Sequence, residues 1–161
     1  MKSGIVAFAF GKPDYLRANR ILAQITSKKA LEEKDCPIFT QEDIPLQGEN
    51  FEIIKNKKGE PPSTLEIAKA AVSWAKRNKI NKLIIVSACP HLWRCKRDLS
   101  RIIKERQMEI EIQIAEEITK IPQNFWFCPK SHQKRTQKRF NWLIREAIIK
   151  IMPFLIYRRI T

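Results

Sequence analysis

Glycine and histidine are scarce in this sequence, and several catalytic motifs are missing with them. Gly accounts for only four of the 161 residues, and neither the Walker A pattern nor G-x-G-x-x-G occurs. With two histidines in the chain, no Ser-His-Asp order is recognisable. The sequence therefore excludes the P-loop nucleotidases and the glycine-rich dinucleotide-binding proteins, and it gives no support to a serine hydrolase.

Cysteine is also sparse, and its spacing fits no known metal or redox motif. The chain has four cysteines, at positions 36, 89, 95 and 128, and no C-x-x-C pair. We therefore expect reduced thiols and no metal site. Cys89 and Arg94 are separated by four residues. This is one residue too few for a tyrosine-phosphatase loop, whose consecutive amides wrap around a phosphate, so that chemistry is excluded as well.

Long apolar runs are missing, so the sequence predicts no membrane-spanning helix. The first ten residues, MKSGIVAFAF, contain a short apolar run without the h-region and cleavage site of a signal peptide. A first β-strand is the better interpretation. We expect a cytoplasmic protein, and a peripheral position at a membrane stays open.

Acidic residues are nearly absent from the C-terminal part of the chain. Residues 129–161 contain nine Lys or Arg and a single acid, Glu146, and so supply eight of the fourteen net positive charges. Such an uneven charge indicates an anionic partner, which is a nucleotide, a nucleic acid or lipid headgroups. A solvated, solubilising surface is the alternative.

Short apolar runs alternate with helical patterns along the whole chain, which is 43% hydrophobic. This alternation predicts one α/β domain over residues 1–161, with a mostly parallel sheet between two layers of helices and a basic helical extension from about residue 130. Asp14 is a candidate N-cap of the first helix, and Ser63 with Glu66 forms a capping box for the second. The predicted strands are Gly4–Phe10, Pro37–Thr40, Phe51–Ile54, Leu83–Ser87 and, at an edge, Met108–Ile114.

Ligands of open parallel sheets bind outside the carboxyl ends of the strands. This rule predicts that four short segments converge, namely Gly11–Asp14, Gln41–Asp43, Pro62–Thr64 and Ser87–Arg94. In the last of these, His91 and Arg94 lie three residues apart in the first turns of a helix, where the helix N-terminus and a guanidinium both attract anions. A phosphate or a carboxylate is the natural ligand.

The remaining candidate ligand-binding residues have structural alternatives. Ser63 satisfies a capping box without any ligand, while the hydroxyl of Thr64 is free to reach one. Gln41 and Asn19 are amides that reach the same crevice or are ordinary surface groups. The predicted ligand-binding set is Gly11, Asn19, Gln41, Ser63, Thr64, Ser87, His91 and Arg94, with His91 also the candidate acid or base.

The segment IVSACPHLWRC resembles the strand-turn-helix signature of the YdcF-like domain family, which includes relatives of SanA and ElyC. Members show an apolar strand, a Thr/Ser pair and then H-x-x-R before a small residue. Ser87, His91 and Arg94 stand in register with that pattern. Upstream, PSTLEIAKAA is similar to the family's N-T-x-E motif, with Thr64 and Glu66 matching. The resemblance covers residues 4–105.

This resemblance implies a Rossmann-like, three-layer fold that binds a phosphorylated or nucleotide-like ligand such as S-adenosylmethionine. The resemblance also implies group transfer or hydrolysis at that ligand. In some branches of the family it implies a place in cell-envelope metabolism. The sequence departs from the family at its glycine-rich strand ends. The first strand end keeps only Gly11, and Thr40–Asp43 stands in place of the second glycine-rich strand end.

Two kinds of partner are open for the basic C-terminal segment. Lys130–Arg139 has the charge to contact RNA or DNA, with Trp126 and Phe127 available for stacking on bases. The helix predicted over Thr136–Ile151 either packs on the sheet, with Phe140 and Trp142 in the core, or lies on an anionic membrane surface. The segment Pro153–Tyr157 is a candidate partner or membrane contact.

Overall fold

The structure, a computed structural model, describes residues 1–34, 36–48, 50–56 and 60–160. Its centre is a five-stranded sheet of parallel strands in the order β3-β2-β1-β4-β5. Pairing is longest between the two central strands, β1 and β4, which match over six residues. The strands are β1 Ser3–Phe8, β2 Ile38–Gln41, β3 Phe51–Ile54, β4 Lys82–Ser87 and β5 Glu111–Ile114.

Helices cover both faces of this sheet, which confirms the predicted α/β, Rossmann-like sandwich. They are α1 Arg17–Glu32, α2 Thr64–Arg77, α3 Cys89–Glu105, α4 Lys134–Gln137, α5 Arg139–Ile151 and α6 Phe154–Ile160. Two 3₁₀ segments, Glu116–Lys120 and Gln123–Trp126, follow β5. Within the described part of the chain, none of the helices combines the length and the apolarity that crossing a bilayer requires.

The central strands are apolar on both sides because each side faces a separate core. Val6 and Phe8 of β1 pack with the helices α2 and α3 in one cluster. Ile5 and Ala7, which point to the opposite face of the same strand, pack with α1 in the other cluster. This is why short continuous apolar runs, rather than alternating ones, mark the inner strands. At the edge, β5 pairs with β4 and alternates between exposed and half-buried residues, as predicted.

The two predicted helix starts have different outcomes. The capping box of α2 is confirmed, since the Ser63 hydroxyl accepts from the Glu66 amide and the Glu66 carboxylate accepts from the Ser63 amide. The Asp14 cap is wrong. The Leu16 amide donates to the Pro13 carbonyl at 3.2 Å, so the chain makes a turn first and the helix begins at Arg17.

The α5 helix exposes to solvent the apolar side that was predicted to pack on the sheet. Trp142 is buried as expected, but Phe140 is 71% exposed, so its predicted place in the core is wrong. The buried positions are Trp142, Glu146 and Ile149, because Trp142 donates from Nε1 to the Pro90 carbonyl and Glu146 pairs with an arginine. The predicted apolar side, which we call the α5 face, is therefore exposed and consists of Phe140, Leu143, Ile144, Ala147, Ile148 and Ile151.

Candidate functional site

A cavity of about 340 Å³ opens at the carboxyl ends of β1, β2 and β4. The strand order reverses between β1 and β4, and this is the point at which open parallel sheets bind ligands. The C-terminal helices close the far side of the cavity. Its polar and charged lining consists of Gln41, Asp43, Glu60, Ser63, Thr64, Glu66, His91, Arg94, Gln133, Arg135, Thr136, Arg145 and Tyr157.

Gly11 lines this cavity at the end of β1 and lets the C-terminal segment approach. Its φ of +91° is a backbone conformation that L side chains rarely adopt. A Cβ at this position would lie 2.9 Å from both the Ser131 and the Thr136 hydroxyl oxygens. The one glycine kept at this strand end is thus required by close packing against residues 131–136.

The two amides of the predicted set hold the strand ends in place. Asn19 is buried and accepts from the Phe10 amide at 2.9 Å, while its Nδ2 donates to the Gly11 and Pro13 carbonyls. Gln41 accepts from the Ala9 amide at 2.7 Å and also lines the cavity. The structure therefore places Gln41 at the cavity and Asn19 behind the loop that forms one of its walls.

His91 is fully engaged at the cavity wall. Arg94 Nη2 lies 3.2 Å from Nδ1 of His91, and Thr64 Oγ1 lies 3.3 Å from its Nε2. Because a guanidinium can only donate, Nδ1 accepts and Nε2 carries the proton that is donated to Thr64. Burial, and then the charge of Arg94, hold the pKa of His91 well below its ordinary value. The ring is therefore a neutral imidazole at neutral pH.

Arg94 is buried at the centre of the site with part of its donor capacity unused. Its Nη2 lies 3.1 Å from Oε1 of Glu146, and its guanidinium carbon lies 5.2 Å from the centre of the Trp142 ring. Its Nε is buried and has no hydrogen-bond partner in the described residues. A buried donor without a partner is costly, so this atom is a natural contact for a ligand oxygen.

Arg135 and Arg145 reach the same cavity from the C-terminal segment. Burial, and then the nearby charge of Arg94, lower the pKa of Arg135 and bring that of Arg145 to about 10. Both stay cationic at neutral pH. The sequence analysis missed them because it treated the basic residues of this segment as a surface feature. The sequence feature that could have identified Arg145 as a site residue is its position next to Glu146, the single acid of this basic segment.

Burial raises the pKa of the Glu146 carboxyl, while the charges of Arg94 and Arg145 act in the opposite direction.

Acidic groups line another part of the cavity, contributed by the chain just after β2, the segment before α2 and the first turn of α2. They are Asp43, Glu60 and Glu66. Asp43 is 7% exposed, burial raises the pKa of its carboxyl, and its Oδ2 finds no hydrogen-bond partner among the described residues. The cavity thus offers unsatisfied groups of both kinds: a donor on Arg94 and an acceptor on Asp43.

Ser87 lies away from the cavity although it belongs to the predicted set. Its side chain is fully buried, with Oγ 3.3 Å from Cys95 Sγ and 3.4 Å from the Ala88 carbonyl. It packs the end of β4 against α3. The thiol of Cys95 is also fully buried, which raises its pKa far above the ordinary value and makes it unreactive.

Two aromatic residues of the C-terminal part have structural roles in the fold. Trp126 is 1% exposed, so the prediction that it is available for stacking on bases is wrong. Tyr157 is also buried, and its hydroxyl donates to Oδ2 of Asp98 at 2.7 Å. This bond fastens α6 to α3, beside the cavity that Tyr157 lines.

Neither the models of known protein families nor the curated proteins with which the chain was compared give a match. The resemblance to the YdcF-like family therefore stays a prediction.

Proposed function

We propose that this protein binds a small phosphorylated, nucleotide-like ligand in the cavity at its strand ends. The observation that carries the proposal is that Arg94 and Asp43, which both line this cavity, each carry a buried atom, Nε and Oδ2 respectively, without a partner in the described chain. Native proteins rarely leave such atoms unsatisfied unless a ligand, ion or water completes them.

The charges near Arg94 favour a phosphate over a carboxylate. Arg94, Arg135 and Arg145 bring three guanidiniums to the cavity, and Glu146 brings one carboxylate next to them. A phosphate monoester carries a charge of roughly −1.5 to −2 at neutral pH and accepts several charge-assisted hydrogen bonds. It therefore balances this group of side chains better than a singly charged carboxylate does.

The acidic part of the lining favours a ligand that carries hydrogen-bond donors at the end opposite its phosphate. Asp43 and Glu60 accept hydrogen bonds, and the hydroxyls of a ribose or another sugar, or an amino group, would donate them. A phosphate at one end and hydroxyl or amino groups at the other describe a nucleotide or a similar phosphorylated compound. The volume of about 340 Å³ lies in the range of small-molecule sites.

Group transfer or hydrolysis at the bound phosphate is the reaction class that this ligand suggests, with His91 as the candidate acid or base. Both ring nitrogens of His91 are already bonded, to Arg94 and Thr64. Its first role in the proposal is therefore to position these two side chains. Proton transfer by His91 would require the ligand to replace Thr64 at Nε2.

The test is calorimetric titration of the protein with inorganic phosphate, AMP and S-adenosylmethionine. We expect binding of at least one phosphorylated compound, and Arg145→Gln should weaken it by about tenfold or more, because one charge-assisted contact is worth about 1.5–3 kcal/mol. Arg145 is partly exposed at the cavity wall, so this variant should keep its fold.

Arg20→Gln is the matched control, since Arg20 is an exposed residue of α1 outside the cavity lining. It should bind like the wild type. The proposal fails if neither inorganic phosphate nor AMP binds, or if Arg145→Gln and Arg20→Gln bind equally well.

A further inference from the structure

The α5 face is an apolar surface left open on a strongly cationic protein. Phe140 and Ile151, at its two ends, are 71% and 85% exposed, and the next helix also exposes Leu155 at 73%. Exposed apolar area of this extent is unfavourable in water and marks an interaction surface in monomeric proteins. The inward side of α5 is occupied by Trp142, Glu146 and Ile149, so a rotation that buried the α5 face would expose these three residues.

The exposed charges that residues 129–161 contribute near the α5 face have one sign. At about 100° per residue, Arg139 and Lys150 lie along one edge of the face. The single acid of residues 129–161, Glu146, is buried. The exposed charged residues of the described part of this segment are therefore cations: Lys130, Lys134, Lys138, Arg139, Lys150, Arg158 and Arg159.

An amphipathic aromatic side chain lies next to this edge. Trp93 of α3 is 41% exposed, and the Lys150 ammonium lies 5.2 Å from the centre of its ring. Indole rings beside basic residues favour the headgroup level of a bilayer, where one part of the ring is in contact with apolar chains and the other with water.

We propose that α5 and α6 dock on an anionic bilayer surface. The α5 face and Leu155 enter the boundary of the acyl chains, while the flanking Lys and Arg side chains contact the anionic headgroups. Amphipathic helices with cationic edges bind membranes in this way, lying in the interface without crossing it. The proposal does not depend on the ligand of the strand-end cavity.

Other occupants fit these observations less well. A second copy of the chain would cover the apolar face but would bring two cationic segments together, and like charges repel. A nucleic acid would satisfy the cations but would leave Phe140, Ile151 and Leu155 in water. An anionic bilayer is complementary to both the apolar and the charged side chains.

Flotation with vesicles tests the proposal. We expect the protein to float with vesicles of phosphatidylcholine mixed with phosphatidylglycerol, and to stay behind with phosphatidylcholine alone. The double variant Phe140→Asn/Ile151→Asn should reduce the vesicle-bound fraction at least about tenfold, because two large apolar side chains are lost from the contact. Leu31→Asn is the control, since Leu31 is 72% exposed on α1, away from the α5 face.

A second pair of variants tests the charge. Arg139→Gln/Lys150→Gln should weaken vesicle binding by roughly thirtyfold, because each of the two basic residues near the surface contributes about 1 kcal/mol. The control pair Arg20→Gln/Lys76→Gln removes two exposed charges from α1 and α2 and should weaken flotation less. Circular dichroism and thermal unfolding of each variant verify that it is folded.

Three results would overturn the proposal. One is a wild-type protein that does not float with anionic vesicles. Another is flotation that Phe140→Asn/Ile151→Asn leaves unchanged. The third is a different partner at these residues, shown by a dimer in light scattering that this variant dissociates, or by RNA binding that Arg139→Gln/Lys150→Gln weakens without weakening flotation.

Discussion

His91 and Arg94 depend on each other at the scale of single residues. The neutral imidazole accepts from the guanidinium, which fixes the direction of Arg94 toward the cavity and Glu146. If His91 were protonated, Nδ1 would become a donor that faces a donor. Phe8, Phe10 and Trp142 surround the ring at centroid distances of 5.2–6.4 Å, so water cannot stabilise the charged form.

This arrangement predicts a pH dependence of stability. The folded-state pKa of His91 is depressed, so below about pH 6.5 the unfolded chain binds a proton that the folded protein does not. The contribution of His91 is therefore complete above that pH and is lost as the pH falls, by up to about 1.4 kcal/mol per pH unit. Urea unfolding between pH 7.5 and about pH 5 measures it.

The control is His91→Gln, which keeps a hydrogen-bonding side chain but does not titrate. The slope of its unfolding free energy against pH should be smaller than that of the wild type. Exposed His132 is present in both proteins and cancels in the comparison. Equal slopes for the two proteins would show that His91 titrates normally in the folded state.

The sequence predicted some residues of the site and missed others for a physical reason. Thr64, His91 and Arg94 follow directly from the open-sheet rule, since each stands where a helix begins next to a strand end. Arg135 and Arg145 reach the cavity through the packing of helices that are far from those strands in the chain. Apart from the adjacent Arg145 and Glu146, no local pattern indicates that contact.

At the scale of secondary-structure elements, a buried hydrogen bond joins α6 to α3. The hydroxyl of Tyr157 donates to Asp98, and burial together with that carboxylate raises the pKa of the hydroxyl, which keeps it protonated as a donor. The outward side of this short helix exposes Leu155 and Ile156. The Tyr157–Asp98 bond therefore adds to the core packing of Phe154 and Tyr157 in keeping α6 against the cavity.

Tyr157→Phe should lower the free energy of unfolding by about 1–3 kcal/mol, because a buried carboxylate oxygen loses its donor. Denaturant unfolding monitored by tryptophan fluorescence measures the change. Tyr15→Phe is the matched control, since Tyr15 is the other tyrosine of the chain and is 54% exposed. Equal unfolding midpoints of the two variants would contradict an anchoring role of Tyr157.

Strands and helices were predictable to different degrees for reasons that the structure makes clear. The continuous apolar runs at residues 4–10 and 83–87 predicted the two central strands, because a strand buried on both faces has no polar positions. The amphipathic pattern of α5 predicted a helix but not its orientation. Three inward residues outweigh six apolar outward ones because Trp142 lines the cavity, Glu146 pairs with Arg94, and Ile149 packs in the core.

At the scale of the whole molecule, the positively charged side chains of the C-terminal helices and Arg94 lie in two separate places. Arg94, Arg135 and Arg145 line the strand-end cavity, while the exposed cations of residues 130–160 lie outside it, with Arg139 and Lys150 along one edge of the α5 face. The same C-terminal helices supply both. The excess of cations in this segment therefore serves two separate anionic partners in our account, a phosphorylated ligand inside and lipid headgroups outside.

The most direct test of the central claim is the position of a phosphate analogue in a crystal of the protein soaked in tungstate. Anomalous diffraction locates the metal of this tetrahedral oxyanion. We expect a peak in the strand-end cavity, with tungstate oxygens within hydrogen-bonding distance of Arg94 Nε and the guanidinium of Arg145. A cavity without a peak in crystals where tungstate binds elsewhere, or a peak that persists in Arg145→Gln without contact to Arg94, would contradict the account.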